Sequence, residues 1–188
     1  MTDVYLVTGL MRSGTSFLAE ALHKAGVPMG SFMRFPTMNP LAGFEWEDAL
    51  LAEPLMAVVT GDRYEPRQII GQYIETRGHG TWGVKTPFLM PFVGMFSEIL
   101  VSIGMKPHVF ITDRDYQETL ASIRQQVSHL EGNGKREALE RAETIQEVLS
   151  SYWREASEGA SVFNAKESME NPDSVVARVH DIVHGAEG

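Results

Sequence analysis

The chain has 188 residues, a length typical of one domain with a buried core. Its formal net charge of -9 argues against a general nucleic-acid binder, because such proteins need a basic face that neutralises phosphates. Lysine and arginine form no run anywhere, so binding to an anionic membrane surface is not expected either.

The sequence contains no cysteine, which excludes disulfides, thiolate metal ligands and cysteine nucleophiles. The absence of cysteine is compatible with a reducing cytoplasm, and we expect a cytoplasmic protein. The first residues show neither the basic region nor the long apolar region of a signal peptide. No apolar run approaches the roughly 20 residues that cross a bilayer, so no membrane segment is expected.

The first part of the chain begins with a predicted strand and a predicted helix. Residues 4–8 are apolar and β-branched, and they predict a short buried strand that ends at Gly9. Apolar residues recur at helical spacing over residues 15–25, and Gly26 follows where a C-cap glycine is typical. Residues 27–44 contain three prolines and predict a long loop, of the kind that often serves binding.

The rest of the chain alternates helices with strands. Further helices are predicted over residues 45–59, 65–76, 89–103, 115–130, 136–156 and 172–183. Further strands are predicted to end near Lys85 and to span residues 107–112 and 161–164, and a chain break is predicted at the glycine-rich residues 131–135. Strands that alternate with helices indicate βαβ units and a parallel sheet. We therefore predict one domain over residues 1–188, with a three-layer α/β/α fold around a central parallel sheet.

Ligands of parallel α/β sheets bind beyond the carboxyl ends of the strands. In this sequence those ends lie at residues 9–16, 85–88 and 113–115. The chemistry is therefore expected where these three segments meet, although they are far apart along the chain.

The first of these segments, GLMRSGTS at residues 9–16, has the form of a phosphate-binding loop. It leaves a predicted strand and opens a helix, whose N-terminal N–H groups and dipole favour an anion. The two glycines permit a tight backbone path, and Arg12 can contact two oxygens at once. Candidate ligand-binding residues are Arg12, Ser13, Gly14, Thr15 and Ser16. The alternative is an ordinary strand-to-helix turn with solvated polar side chains.

The loop departs from the Gly-x4-Gly-Lys-[Ser/Thr] pattern at one position, where Thr15 replaces the lysine. That lysine spans the β- and γ-phosphates of a nucleoside triphosphate, and threonine cannot do so. Arg12, three residues earlier, is placed to contact the terminal group of a shorter ligand. The loop therefore predicts a phosphate-like ligand other than an ordinary triphosphate.

The segment GLMRSGTSFLAEAL resembles the phosphosulfate-binding loop of sulfotransferases that use 3′-phosphoadenosine 5′-phosphosulfate (PAPS). That family has the P-loop nucleotide-kinase type of fold, so the resemblance implies a P-loop NTPase-like, sulfotransferase-like architecture. The resemblance also implies that residues 12–16 bind the phosphosulfate end of PAPS, and that 3′,5′-diphosphoadenosine (PAP) is the product.

A second segment, VFITDRDYQETLAS, is similar to the part of this family that binds the 3′-phosphate. In the family an arginine at the end of a strand and a serine eight residues later hold this phosphate, and Arg114 and Ser122 stand at that spacing. A guanidinium group at the carboxyl end of a strand also faces the ligand crevice on general grounds. The alternative is a surface arginine and a solvated helix serine.

Two further segments resemble the catalytic region of the family. NPLAGFEWEDALL is similar to a segment with a Trp-Glu-Asp motif, here with an additional acidic residue, Glu45. WGVKTPF is similar to a Lys-[Asp/Thr]-Pro segment, which places Lys85 beside the transferring sulfuryl group. Removal of a proton from the acceptor needs a base; Glu47 is the first candidate, Glu45 the second and His79 a weaker one. The alternative is that both glutamates belong to the acidic first turn of a helix.

The predicted reaction is transfer of the sulfuryl group from PAPS to a hydroxyl or amine of a small-molecule or carbohydrate acceptor. The acceptor attacks in line, and Arg12 and Lys85 are the candidates that stabilise charge on the leaving group. Cationic side chains can serve this purpose, so no metal is expected. The acceptor is expected near residues 27–44 and 136–156, and the short chain leaves this side open or completed by a second copy of the chain.

Two other functions are consistent with the sequence. A P-loop kinase that uses ATP and Mg²⁺ is supported by Asp113, which ends an apolar strand and is placed to hold the metal, but the missing loop lysine counts against it. A non-catalytic nucleotide-binding module is the third interpretation. Metal-independent binding of PAP distinguishes the sulfotransferase from the kinase, and transfer to an acceptor distinguishes it from the module.

Overall fold

A computed structural model of the protein describes residues 1–30, 47–128 and 131–185. Within these residues a parallel sheet has the strand order β2-β1-β3-β4. Its strands are β1 (Thr2–Gly9), β2 (Trp82–Lys85), β3 (Met105–Asp113) and β4 (Ser161–Asn164). The predicted strands are therefore confirmed, and β1 and β3 extend beyond their predicted bounds.

Helices connect the strands. Those of the first half are α1 (Thr15–Lys24), α2 (Ala49–Val59), α3 (Pro66–Arg77) and α4 (Val93–Ser102). Those of the second half are α5 (Tyr116–Gln126), α6 (Gly132–Ser157), α7 (Ala165–Glu170) and α8 (Pro172–His184). A 3₁₀ helix, Pro87–Phe92, lies between β2 and α4.

The side chains of β1 alternate between the two faces of the sheet, and helices cover each face. On one face, Tyr5 and Val7 pack with apolar residues of α1 and α8. On the other face, Val4 and Leu6 pack with apolar residues of α2, α3, α4 and α6. Burial on both faces explains why β1 is a continuous apolar run rather than an alternating one. The protein thus has the predicted three-layer α/β/α fold.

The strand order creates a crevice at the carboxyl edge of the sheet. β1 lies between β2 and β3 in the sheet. The connection from β1 to β2 therefore leads to one side of β1, and the connection from β2 to β3 leads back to its other side. The helix after β1, α1, covers one face, whereas α6, which leads from β3 toward β4, covers the other. Ligands of open α/β sheets bind at such a switch point. The loop after β1 and the end of β3 therefore border the expected site.

The helix predicted over residues 89–103 is wrong at its start, where the structure has the 3₁₀ helix and α4 begins later. Pro87 and Pro91 lack an N–H, which weakens the α-helical hydrogen-bond pattern at this point. The side chain of Thr86 caps the 3₁₀ helix by accepting a hydrogen bond from the N–H of Phe88 at 3.3 Å. This cap holds the turn that directly follows β2.

The chain break predicted at residues 131–135 is also wrong, because α6 begins at Gly132. Glycine in a helix costs about 1 kcal/mol relative to alanine, which is a small penalty for extending a long helix that already has a nucleus. The second half of α6 is anchored by Ile145 and Leu149, which are buried in the core. Helix α7 is an addition to the predicted elements; Asn164 caps it by accepting hydrogen bonds from two N–H groups.

Gly9, the last residue of β1, lies close against Thr112 and Ser13. A Cβ atom at this position would overlap Thr112 Oγ1 and lie 2.7 Å from Ser13 Oγ. We expect Gly9→Ala to lower the free energy of unfolding by about 2–4 kcal/mol, measured by urea unfolding. Gly94→Ala is the matched control: nothing lies within 4 Å of its Cβ position, and α4 should gain up to about 1 kcal/mol. If Gly9→Ala and Gly94→Ala had the same free energy of unfolding, the loop after β1 would not be closely packed against β3.

Candidate functional site

The three segments expected to carry the chemistry meet at the carboxyl edge of the sheet. The N–H of Thr86 donates to the carbonyl of Val7 at 3.1 Å, which joins the end of β2 to β1. The guanidinium of Arg114, directly after β3, donates to the carbonyl of Arg12 at 2.8 Å. The segments that follow β1, β2 and β3 therefore form one candidate site, although they are separated in the sequence.

The loop after β1 follows a tight path that is held against β3. Arg12 has a left-handed conformation, φ 65°, and Gly14 has φ 95°. The N–H of Ser13 donates to the carbonyl of Leu10 at 3.1 Å, and the Ser13 hydroxyl donates to the same carbonyl at 2.6 Å. This hydroxyl is also hydrogen-bonded to the hydroxyl of Thr112 on β3. The fully buried side chain of Ser13 thus shapes the loop from within.

The end of the loop opens helix α1. Gly14 is the N-cap residue and makes no side-chain cap, so the N–H groups of the first turn depend on other partners. Gly14 is exposed, Ser16 is half-buried, and Thr15 is buried at 4% exposure. Thr15 stands at the position of the lysine in a triphosphate loop, so no cationic side chain extends from this position.

Arg12, Arg114 and Ser122 form a group beside the loop, called here the arginine cluster. Arg12 Nε donates to Ser122 Oγ at 3.4 Å, and Arg114 Nη1 donates to the carbonyl of Arg12 at 2.8 Å. Arg114 also pairs with Glu118, with 3.2 Å between Nε and Oε2, and its side chain is 24% exposed. The structure therefore places both members of the predicted Arg114 and Ser122 pair next to Arg12.

Lys85 and Glu47 form a buried ion pair at the same edge of the sheet. Nζ of Lys85 and Oε1 of Glu47 are 2.7 Å apart, and the two side chains are 3% and 8% exposed. Lys85 is the last residue of β2, and Glu47 lies shortly before α2. Removing one partner of such a pair typically costs about 3–5 kcal/mol, because the remaining charge is left in a dry site. Two predicted catalytic residues are thus brought into direct contact.

The structure describes only one of the other two candidate bases. Glu45, the second candidate, lies outside the described residues. His79 is exposed and precedes the amino end of β2, the end opposite Lys85. His79 is therefore not placed to act beside Lys85, whereas Glu45 remains a candidate base alongside Glu47.

A network that was not predicted from the sequence surrounds Asp48, the N-cap residue of α2. Asp48 Oδ2 accepts a hydrogen bond from the Tyr73 hydroxyl at 3.0 Å and lies 3.9 Å from Arg77 Nη1. Arg77 also donates to the carbonyl of Pro28 at 3.3 Å. Burial, reinforced by the Asp48 charge, raises the pKa of Tyr73, so the phenol stays protonated and keeps donating. The network holds Asp48, the residue next to Glu47, in place. The sequence signal for this network was an acidic residue before an apolar helix, which is typical of an N-cap.

A second contact that was not predicted comes from Gln146 on α6, whose side chain is fully buried. Its carboxamide is hydrogen-bonded to both the N–H and the carbonyl of Met11 in the loop. Gln146 follows Ile145 within the predicted helix over residues 136–156. A polar side chain next to the buried face of an amphipathic helix was the available signal, because buried polar groups need specific partners.

No helix among the described residues is long and apolar enough to cross a membrane. Within residues 1–30, 47–128 and 131–185, no group of three or more His, Asp or Glu side chains is arranged to bind a metal ion. Mg²⁺ that enters with a nucleotide needs fewer protein ligands, because phosphate oxygens and water supply the rest. Both the PAPS and the ATP interpretations are therefore compatible with this arrangement.

Comparison with known proteins identifies the fold. No protein-family model matches the chain, and no curated protein matches it. Among solved structures, a gluconokinase from Sinorhizobium meliloti 1021 superposes with a TM-score of 0.53 at 12% sequence identity, over 100% of this chain and 98% of that chain. The protein therefore has the P-loop nucleotide-kinase type of fold.

The name of this neighbour fits the kinase alternative better than the sulfotransferase interpretation, which the comparison does not confirm. At this identity, however, the likeness shows the fold alone, and one fold supports many activities. The choice between the two donors therefore depends on the residues of the site.

Proposed function

We propose that the protein transfers a sulfuryl group from PAPS to a hydroxyl or amine of a small-molecule or carbohydrate acceptor. The observation that carries this proposal is the convergence of Arg114 and Ser122 on Arg12 at the phosphate loop. The Arg114 guanidinium and the Ser122 hydroxyl suit a compact dianion such as a 3′-phosphate, because arginine binds phosphate through parallel N–H···O bonds. ATP has no 3′-phosphate that Arg114 and Ser122 could hold.

The loop itself supports a donor whose 5′ chain is shorter than a triphosphate. With Thr15 buried in place of the lysine, the first turn of α1 offers N–H groups and the Ser16 hydroxyl rather than a long cationic side chain. Such a helix terminus suits a 5′-phosphate. We assign the phosphosulfate end of the donor to residues 12–16 and its 3′-phosphate to Arg114 and Ser122.

The buried Lys85 and Glu47 pair carries the chemistry in this proposal. The acceptor oxygen or nitrogen forms a bond to sulfur, while the bond from sulfur to the bridging oxygen of the 5′-phosphate breaks and its electron pair leaves with PAP. Glu47 takes the proton of the acceptor, and the Lys85 ammonium stabilises the charge on the bridging oxygen, assisted by Arg12. Lys85 Nζ lies 2.7 Å from Glu47 Oε1. In this proposal the lysine side chain rotates toward PAPS, and the Glu47 carboxylate is then free to accept the proton of the acceptor.

A P-loop kinase that uses ATP and Mg²⁺ is the second candidate, and the likeness of the fold to a gluconokinase favours it. Asp113, half-buried at the end of β3, is the residue that would hold the metal. This candidate function needs a cation in place of the missing loop lysine, a role that would fall to Lys85. It leaves Arg114 and Ser122 without a ligand.

Isothermal titration calorimetry with PAP and with ATP, each in Mg²⁺ and in EDTA, decides between the two donors. We expect PAP to bind equally well in both buffers, because arginine and lysine side chains neutralise its phosphates. We expect ATP to bind weakly in both. Binding of ATP that requires Mg²⁺, together with no binding of PAP, would contradict the sulfotransferase proposal and support the kinase.

Transfer itself is tested with PAPS and a panel of alcohols, phenols, sugars and amines. Formation of PAP together with a sulfated product is expected for at least one acceptor. Binding of PAP without transfer to any acceptor favours a non-catalytic nucleotide-binding module instead.

Size-exclusion chromatography at several concentrations tests whether a second copy of the chain completes the acceptor side.

A further inference from the structure

Gln146, near the middle of α6, presents a fully buried amide to the underside of the phosphate loop. Its Oε1 accepts a hydrogen bond from the N–H of Met11 at 3.0 Å, and its Nε2 donates to the carbonyl of Met11 at 3.2 Å. Nε2 also donates to Thr119 Oγ1 on α5 at 2.7 Å. A buried amide is unfavourable unless it is hydrogen-bonded, and this amide uses both its acceptor and its donors.

These bonds hold the loop where its backbone is least favourable. Met11 directly precedes Arg12, whose left-handed conformation, φ 65°, is disfavoured for a residue with a Cβ atom. Gln146 binds the Met11 peptide groups on one side of this residue, and Arg114 binds the carbonyl of Arg12 on the other. The conformation that directs Arg12 toward Ser122 is thus maintained by groups outside the loop.

The bond to Thr119 extends this arrangement to the second half of the site. Thr119 and Ser122 are three residues apart on α5, so they lie on the same side of the helix, about one turn apart. Thr119 is itself fully buried, and its hydroxyl donates to the carbonyl of Tyr116 at 2.7 Å. One side chain therefore ties the phosphate loop to the helix that carries Ser122.

We infer that Gln146 is a positioning residue, which holds the phosphate loop and Ser122 at the separation that a ligand contacting both of them requires. It acts through Met11 and Thr119 and does not itself touch the ligand, because it is buried beneath the loop. The inference rests on the proposed function in taking PAP as that ligand. The hydrogen bonds from Gln146 to the Met11 backbone do not depend on whether the ligand is PAPS or ATP.

The test compares Gln146→Leu with Leu149→Ala, a control on the same helix that removes buried apolar volume from the core. Calorimetry with PAP reports on the site, amide exchange of Met11 relative to the amides of β1 reports on the loop, and thermal unfolding reports on stability. We expect Gln146→Leu to weaken PAP binding and to speed Met11 exchange by at least about tenfold each. We expect Leu149→Ala to lower the melting temperature but to leave PAP affinity within about twofold.

Thr119→Val is a second variant, because it keeps the shape of the side chain and removes one bond from Gln146. It is expected to weaken PAP binding about threefold and to lower the melting temperature by a few degrees, because one N–H of the buried amide loses its acceptor. Wild-type PAP affinity in Gln146→Leu, or an equal loss in Leu149→Ala, overturns the positioning role. If the wild-type protein binds no PAP, the proposed function fails and Met11 exchange alone decides: faster exchange in Gln146→Leu supports the inference, and unchanged exchange overturns it.

Discussion

Replacement of Lys85 by alanine is expected to lower the rate of sulfuryl transfer by about 10²–10³-fold. The lysine ammonium would lie next to the bridging oxygen as that oxygen gains charge. Two unit charges 4 Å apart at an effective dielectric constant of 20 attract each other by about 4 kcal/mol. Because each 1.4 kcal/mol changes a rate by about tenfold, an attraction gained in the transition state accounts for a loss of this size. The measurement is kcat at saturating PAPS with the best acceptor of the panel.

Part of the effect of Lys85→Ala falls on folding, because it removes the ion-pair partner of Glu47, whose side chain is 8% exposed. The free energy of unfolding is expected to fall by about 3–5 kcal/mol. Glu47→Gln therefore serves as a second variant, since its amide oxygen still accepts a hydrogen bond from Lys85. Loss of the base is expected to lower kcat by about 10²–10⁴-fold in this variant.

Lys24→Ala is the matched control for the loss of a lysine. Lys24 lies on α1, its side chain is 63% exposed, and it pairs with Glu20 at the surface. We expect its kcat to remain within about twofold of wild type, because exposed ion pairs contribute little. If Lys85→Ala or Glu47→Gln retained a wild-type kcat, the catalytic assignment of the buried pair would be wrong.

Replacement of Arg114 by alanine is expected to weaken PAP binding by about 100-fold or more. A charge-assisted, bidentate arginine–phosphate contact contributes roughly 3 kcal/mol, which corresponds to about two orders of magnitude in Kd. Arg114 also donates to the carbonyl of Arg12, so the variant loosens the loop as well. The decisive quantity is therefore the ratio of PAP affinity to AMP affinity, since AMP lacks the 3′-phosphate.

This ratio is expected to fall at least about tenfold in Arg114→Ala and to stay unchanged in Arg67→Ala. Arg67 is an exposed residue of α3 that pairs with Glu98, away from the loop. Equal losses of PAP and AMP affinity in Arg114→Ala would assign Arg114 to the support of the loop rather than to the 3′-phosphate. The calorimetry is carried out in EDTA, so that the comparison does not depend on Mg²⁺.

The architecture was predictable because the buried strands and amphipathic helices alternate clearly along the chain. Residues 4–8 and 107–112 are apolar runs, typical of strands that are covered on both faces. The errors in the predicted helices lie where single glycines or prolines were weighed against a longer apolar pattern. Glycines near Gly132 suggested a break, whereas the 26-residue helix α6 extends through them. The prolines at Pro87 and Pro91 were the signal for a 3₁₀ helix.

The sequence predicted that the motifs containing Lys85 and Glu47 belong to one site, but it did not predict that the two side chains contact each other. Their direct pairing depends on the path of the chain before α2, which no spacing rule specifies. The buried amide of Gln146 was not anticipated at all, because its partner is the backbone of Met11, and a backbone contact leaves no mark in the sequence of the loop. Side-chain motifs were therefore predictable, whereas the groups that hold them in place were not.

The hydrogen bonds between Met11 and Gln146 join residues 135 positions apart, and this separation bears on how the site forms as the chain folds. β1 is made before both of the strands that pair with it, and the first of these along the chain, β2, begins only at Trp82. Contacts of such long range are slow to form, because the intervening chain must lose conformational freedom first. The phosphate loop is thus made well before α6 and is fixed only when α6 packs against it. A nascent chain that stops short of α6 carries the loop sequence without Gln146, the side chain that holds Met11 in place.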